Sequence, residues 1–135
     1  MALKLEKISL LSSRFEVKPG AGESKYQLAL TNYRRKSRRV DGGFGADIIL
    51  DFDLFGQDQK EIKFKCRWML SYNGEKEDKT LLKEHIVVAH AIPYLREYAA
   101  NTLMRAGFRQ NLLDPTNAFH LWKMYLEASQ QAPKE

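Results

Sequence analysis

The sequence predicts an α+β fold: a four-stranded antiparallel sheet followed by a long helix, kinked near Pro93, and a C-terminal helix. Two observations carry this. In the first half, apolar residues alternate with polar ones at period two through two long stretches, the pattern of strands with one buried face. In the second half the punctuation is helical: a proline inside a long helical segment, a glycine at its end, and an Asp-Pro pair before a final apolar run. The 135 residues suit one domain, with strands over 1–73 and helices over 80–129.

The first strand is read from Leu3 and Leu5 on odd positions, Ile8 and Leu10 on even ones, and Phe15 and Val17 on odd ones again. A phase that flips along one strand calls for a bulge or strong twist. Pro19-Gly20-Ala21-Gly22 ends it. Tyr26, Leu28 and Leu30 then alternate with Gln27, Ala29 and Thr31, and Asp41-Gly42-Gly43 closes this second strand. In the third, Ile48, Leu50, Phe52 and Leu54 alternate with Asp47, Ile49, Asp51 and Asp53. In the fourth, Ile62, Phe64, Cys66, Trp68, Leu70 and Tyr72 alternate with Lys63, Lys65, Arg67, Met69 and Ser71. Gly56 to Lys60 reads as a hairpin loop. A turn centred near Asp58 places Asp53 opposite Lys63, Asp51 opposite Lys65, Phe52 opposite Phe64 and Leu50 opposite Cys66. Short connections between all four strands predict an antiparallel meander.

Thr80 is the expected cap of the long helix, which Pro93 kinks or restarts because its ring clashes with the Ala89 carbonyl and it donates no hydrogen bond. Gly107 suits the position just past the helix end, with Arg105 in the last turn. Asp114-Pro115 pairs an N-cap with a proline at the first helical position, starting a helix that runs to about Ser129.

Charge is localised. The chain holds 22 Lys and Arg against 17 Asp and Glu, a net +5. Five of the basic residues lie in Arg34-Arg35-Lys36-Ser37-Arg38-Arg39, and the remaining 17 are matched by 17 acids. The protein is neutral with one basic run. That run permits salt-dependent phosphate contacts, with Tyr33 beside it to stack on a base, so a basic nucleic-acid-binding module is one reading; a solvated strand end is the other. No apolar run approaches a membrane span, the N-terminus is charged where a signal peptide is apolar, and a single Cys forms no internal disulfide. These features predict a cytoplasmic protein without membrane insertion.

Catalytic chemistry is thinly supplied. His85 and His90 are five apart and do not share a helix face, and no paired-Cys or His-Glu-x-x-His motif is present. Gly42-Gly43-Phe44-Gly45 lacks the Lys-Ser/Thr and following helix of a phosphate loop. Cys66 falls on a buried strand face, and Asp47, Asp51 and Asp53 read as a solvated face paired with lysines. No enzyme activity, metal or cofactor is expected.

The helical half carries a resemblance. Pro93-Tyr94-Leu95-Arg96-Glu97, then Arg105-Ala106-Gly107-Phe108, then Leu112-x-Asp114-Pro115-Thr116-Asn117-Ala118-Phe119 resemble the SecB family of protein-export chaperones. That family has Pro-Tyr-x-Arg-Glu in its long helix, then an Arg-x-Gly segment and a Leu-x-x-Pro-Val-Asn-Phe-like linker. The match spans about residues 92 to 126, with Arg109 in place of the usual Pro and Thr116 in place of the usual Val. Ser13-Arg14-Phe15-Glu16 before Pro19, and Cys66, are similar to the family's first and fourth strands.

The resemblance implies a homotetramer, a dimer of dimers, that binds unfolded polypeptides or preproteins in apolar surface grooves, without ATP, and keeps them export-competent. Small residues on the long helix, Ala99, Ala100, Thr102 and Ala106, suit close helix approach or packing on the chain's own sheet. The final helix has Phe119, Leu121, Trp122, Met124, Tyr125 and Leu126, wider than one buried stripe requires. Outward strand positions carry Ile49, Phe55 and Met69, and Tyr26, Tyr33, Phe44 and Trp68 lie near the sheet edge or loops. Tyr33, Phe44, Trp122 and Tyr125 are the client-binding candidates, through apolar burial and main-chain pairing along a sheet edge. Family members dock the SecA translocation ATPase through carboxylates on the outer sheet face. Glu16 keeps that character, but Ser12 and Arg67 stand where other carboxylates are expected. A SecB-like chaperone of a toxin–antitoxin system is therefore a rival to the export reading.

Overall fold

The computed structural model describes residues 3–17, 26–56, 62–107 and 117–131. Four strands, β1 (Lys4–Val17), β2 (Tyr26–Arg38), β3 (Phe44–Gly56) and β4 (Ile62–Gly74), are followed by a 3-10 turn (Lys76–Leu81) and two helices, α1 (Glu84–Arg105) and α2 (Ala118–Gln131). All neighbouring strands are antiparallel, so the α+β architecture is the one expected.

The strand order, β1-β4-β3-β2, is not that of a meander. β2, β3 and β4 follow one another, but β1 lies beside β4, which gives a Greek-key order. Alternation identifies strands without naming their neighbours. What favours the observed order is the inner face: Phe15 meets Phe64 edge-on, ring centroids 6.0 Å apart, and Ile8 lies opposite Leu70. The phase flips of β1 are genuine bulges, between Leu5 and Lys7 and between Leu10 and Ser12. They return Leu5, Ile8 and Phe15 in turn to the core side.

The β3–β4 register is offset by two residues from the expected one. Asp53 faces Lys65, not Lys63; Asp51 faces Arg67, not Lys65; Phe52 faces Cys66 and Leu50 faces Trp68. A two-residue shift keeps every side chain on its own face, so the burial pattern cannot detect it. The observed pairing gives Asp51 a two-pronged guanidinium partner, Arg67 Nε at 2.7 Å and Nη2 at 2.9 Å. The β2–β3 connection closes where Gly43 N–H donates to the Val40 carbonyl, and Gly42 takes a φ of 71° that a side chain disfavours.

The core lies between the inner sheet face and α1. Ala46, Ile48, Leu50 and Phe52 are fully buried, as are Leu70 and Tyr72. Against them α1 turns Val87, Ala91, Leu95, Ala99 and Leu103, a stripe at four-residue spacing. Ala99 thus packs on the chain's own sheet. The helix runs unbroken across Pro93, which is exposed, as is Ala89 one turn earlier, so the carbonyl left without a donor faces water. Thr80 does not cap α1. It sits in the 3-10 turn, where Glu75 N–H donates to Asp78 Oδ2 at 2.8 Å, and α1 starts at Glu84. Gly107 does end the helix, at a φ of 92°, donating to the Met104 carbonyl. Asp114 and Pro115 lie outside the described residues, as do 18–25, including Pro19. The described cap of α2 is Asn117, whose Oδ1 accepts the His120 N–H.

Candidate functional site

β2 decides the geometry. Tyr26, Leu28 and Leu30 point to the core, then a bulge between Leu30 and Asn32 inverts the phase. Beyond it Tyr33 and Arg35 take inner positions opposite Leu50 and Ile48, while Arg34, Lys36 and Arg38 take outer ones. The strand has no other choice: unbroken alternation would have driven Arg34, Lys36 and Arg38 into the apolar core.

Three of the four client-binding candidates meet here. The Tyr33 ring stands edge-on to Trp122 of α2 at 4.9 Å, and Trp122 tilts against Tyr125 at 5.4 Å. All three are half-buried against the core cluster. The Tyr33–Trp122 contact contributes ~0.5–1.5 kcal/mol beyond area burial and ties α2 to β2, while Trp122–Tyr125 packs within the helix. Phe44 differs. It is buried, and the Arg35 guanidinium lies over its ring, 5.5 Å from the centroid, while Arg35 Nη1 donates to the Leu82 carbonyl. Trp68 likewise lies inside, edge-on to Tyr98, with its indole N–H on the Cys66 sulfur at 3.3 Å.

Two polar atoms in this cluster are buried without a hydrogen-bond partner, the Tyr33 hydroxyl and Arg35 Nη2. Burial pushes the Tyr33 phenol up to about 12, helped by the Glu84 carboxylate and opposed by Arg35. Burial also raises Tyr72, whose hydroxyl meets His90 Nδ1 at 2.8 Å. Burial pushes the Cys66 thiol up to about 11, which makes it a packed thiol and not a reactive one. Around the stack α2 leaves Phe119 (61% exposed) and Met124 (50%) facing outward, with Leu126 beside them. Phe119 also meets His85 of α1 edge-on.

The outer sheet face is a ladder of opposite charges. Asp47 pairs with Arg38, Asp51 with Arg67 and Asp53 with Lys65. Ile49 and Met69 lie opposite each other among them, half-buried; the Phe55 side chain is outside the described set. Glu16 is exposed on β1, across from Lys63 and paired with Arg14 at 2.9 Å. Among the described residues no group of three His, Cys, Asp or Glu is placed to hold a metal ion, and no helix is long and apolar enough to cross a membrane.

The basic run is not a free patch. Arg35 is turned inward, and Arg38 is fixed by Asp47, Asn73 and the Tyr72 carbonyl. The inward role of Arg35 went unseen in the sequence. Its shared parity with Tyr33, the only apolar residue after Leu30 in this strand, is the signal that marks it.

The fold matches that of Mycobacterium tuberculosis Rv1957, a SecB-like chaperone solved in complex with a ChAD peptide from the antitoxin Rv1956 HigA1. The TM-score is 0.61 at 15% identity, over 86% of this chain and 88% of that one. No protein-family model and no curated protein matches the sequence.

Proposed function

We propose that the chain is a SecB-like molecular chaperone that holds unfolded polypeptides by apolar contact, without ATP, cofactor or catalysis. The observation that carries this is the likeness of nearly the whole fold to a SecB-like chaperone bound to a peptide. The geometry supports it. Tyr33, Trp122 and Tyr125 line the seam between β2 and α2, Phe119 and Met124 extend the apolar surface outward, and β2 has no strand on its far side among the described residues. Burying part of that surface under a client contributes ~25 cal/mol per Å², indifferent to sequence. Phe44 contributes by seating Arg35 and not by direct contact.

Assembly into a homotetramer, a dimer of dimers, belongs to the same reading. Between the two partner settings, a toxin–antitoxin client fits better than SecA docking or preprotein export. On the outer face Glu16 is engaged by Arg14, and Arg67 by Asp51, which leaves no row of free carboxylates among the described residues.

Dilution of a denatured, reduced client into excess protein tests the holding activity. Slowed refolding and suppressed light scattering are expected, independent of ATP. An unchanged refolding rate overturns the reading, and sedimentation as a monomer overturns the tetramer.

A further inference from the structure

The charge balance of the outer sheet face is uneven, and the imbalance sits at one edge. Every described acid of β3 on that face is taken: Asp47 by Arg38, Asp51 by Arg67, Asp53 by Lys65. Arg34 and Lys36 project from the same face of β2, both exposed, and no described residue forms an ion pair with either. Lys36 lies opposite Asp47, but that carboxylate is held by Arg38 at 2.9 Å. The two free cations are two positions apart, about 7 Å along a strand. They flank the edge at which the sheet stops among the described residues.

We infer that the free edge of β2 selects extended polypeptide segments with Asp or Glu at alternate positions. Those carboxylates meet Arg34 and Lys36 on the outer face, and the intervening apolar side chains turn inward toward Tyr33 and Trp122. The inference rests on the chaperone reading and specifies its substrate class. A strand added to β2 lies about 4.8 Å away and brings its outward side chains to within cross-strand reach of Arg34 and Lys36. A polypeptide fits this edge better than a nucleic acid. The free cations follow strand spacing beside an unpaired backbone, and the nearby aromatic rings stand edge-on to one another, with the Tyr33 hydroxyl buried, so they form no open stacking platform. The plainer role of such charges is to repel edge-to-edge pairing. That role predicts no preference among clients.

Three short labelled peptides that alternate apolar residues with Glu, Gln or Lys, titrated by fluorescence anisotropy with the full-length protein, test it. The Gln peptide reports the chaperone reading alone. At low salt the Glu peptide is expected to bind ~fivefold tighter than the Gln peptide, the strength of two exposed ion pairs, and the Lys peptide more weakly than either. High salt closes the gap. Arg34→Glu with Lys36→Glu inverts the order of Glu and Lys peptides and leaves the Gln peptide unchanged. The neutral pair Arg34→Gln with Lys36→Gln makes all three alike. Equal binding of the three peptides by the native protein, or tighter binding of the Lys peptide, overturns the inference while the chaperone reading stands. Failure of the Gln peptide as well removes both. Displacement of the Glu peptide by single-stranded RNA of equal charge, lost in the same double variant, assigns the strip to polyanions and also overturns it.

Discussion

Tyr33→Phe is expected to stabilise the protein. The Tyr33 hydroxyl is buried without a hydrogen-bond partner, and its ring is held by Trp122. Phenylalanine keeps the ring and removes the unpaired group. A buried polar group without a partner costs ~1–3 kcal/mol, and relaxation around the new ring returns part of that, so the expected gain is about 1 kcal/mol at neutral pH. For a chain of this size that is a rise in Tm of about 4 °C. The effect grows with pH. Tyr33 has a folded pKa of about 12 against an ordinary 10.0, so the folded state keeps the phenolic proton to higher pH than the unfolded state does. That stabilisation is complete below pH 10 and is lost as pH rises toward 12. By pH 11 the wild type gives up roughly 1 kcal/mol that the Phe variant does not, and the difference between them widens to roughly twice its neutral value. Tyr72 is displaced in the same direction, so both proteins lose some stability in alkali. Urea unfolding followed by circular dichroism at pH 7 and pH 11 measures both steps. A destabilised Phe variant at pH 7 refutes the reasoning, because it means the hydroxyl is satisfied and the cluster is not under-bonded.

Other perturbations test other joints of the fold. Trp122→Ala removes the aromatic contact that ties α2 to β2 and the apolar area buried with it, and a 14-residue helix is marginal alone, so amide exchange in α2 should quicken about 30-fold while β3 and β4 stay protected. Gly43→Ala should destabilise by ~1–3 kcal/mol in thermal melts, since its methyl would lie 2.6 Å from the Gly74 carbonyl oxygen, a backbone atom. Cys66 should resist a thiol reagent at pH 8 in the folded protein and react at once in urea, because burial holds its thiol near 11. Asp51→Arg should lower the urea midpoint, and Arg67→Asp on top of it should restore most of the loss; no restoration would refute the register that pairs them.

The period-two pattern was enough to find β3 and β4 and to sort their faces, because each has one face against α1 and burial leaves alternation no freedom. It was blind to anything that preserves parity. The two-residue offset between Asp53 and Lys65 preserves it, and so does the choice of neighbour for β1. Those were settled by contacts that depend on identity rather than polarity: Phe15 against Phe64, and the fork of Arg67 on Asp51. Pro93 does not make the helix restart, for a related reason. Propensity assigns a cost to a proline, but tertiary packing by Ala91 and Leu95 on either side holds the helix through it.

The basic run teaches the same lesson about the candidate site. As a string, Arg34 to Arg39 is a single patch of charge. As a strand it cannot be one, because alternate residues leave on opposite faces. The bulge after Leu30 then decides which residues go where. It sends Tyr33 inward to Trp122, takes Arg35 with it onto Phe44, and leaves Arg34 and Lys36 outside with the described acids of β3 on that face already engaged. Without that bulge the assignment would reverse and bury Arg34, Lys36 and Arg38 in the apolar core. The aromatic seam and the free cations are therefore consequences of one backbone irregularity. Deleting Thr31, the extra residue, should remove the bulge yet keep Asn32 opposite Asp51 and Tyr33 opposite Leu50, so Trp fluorescence and amide exchange in α2 should change little; exposure of Tyr33 in that variant would refute the parity argument.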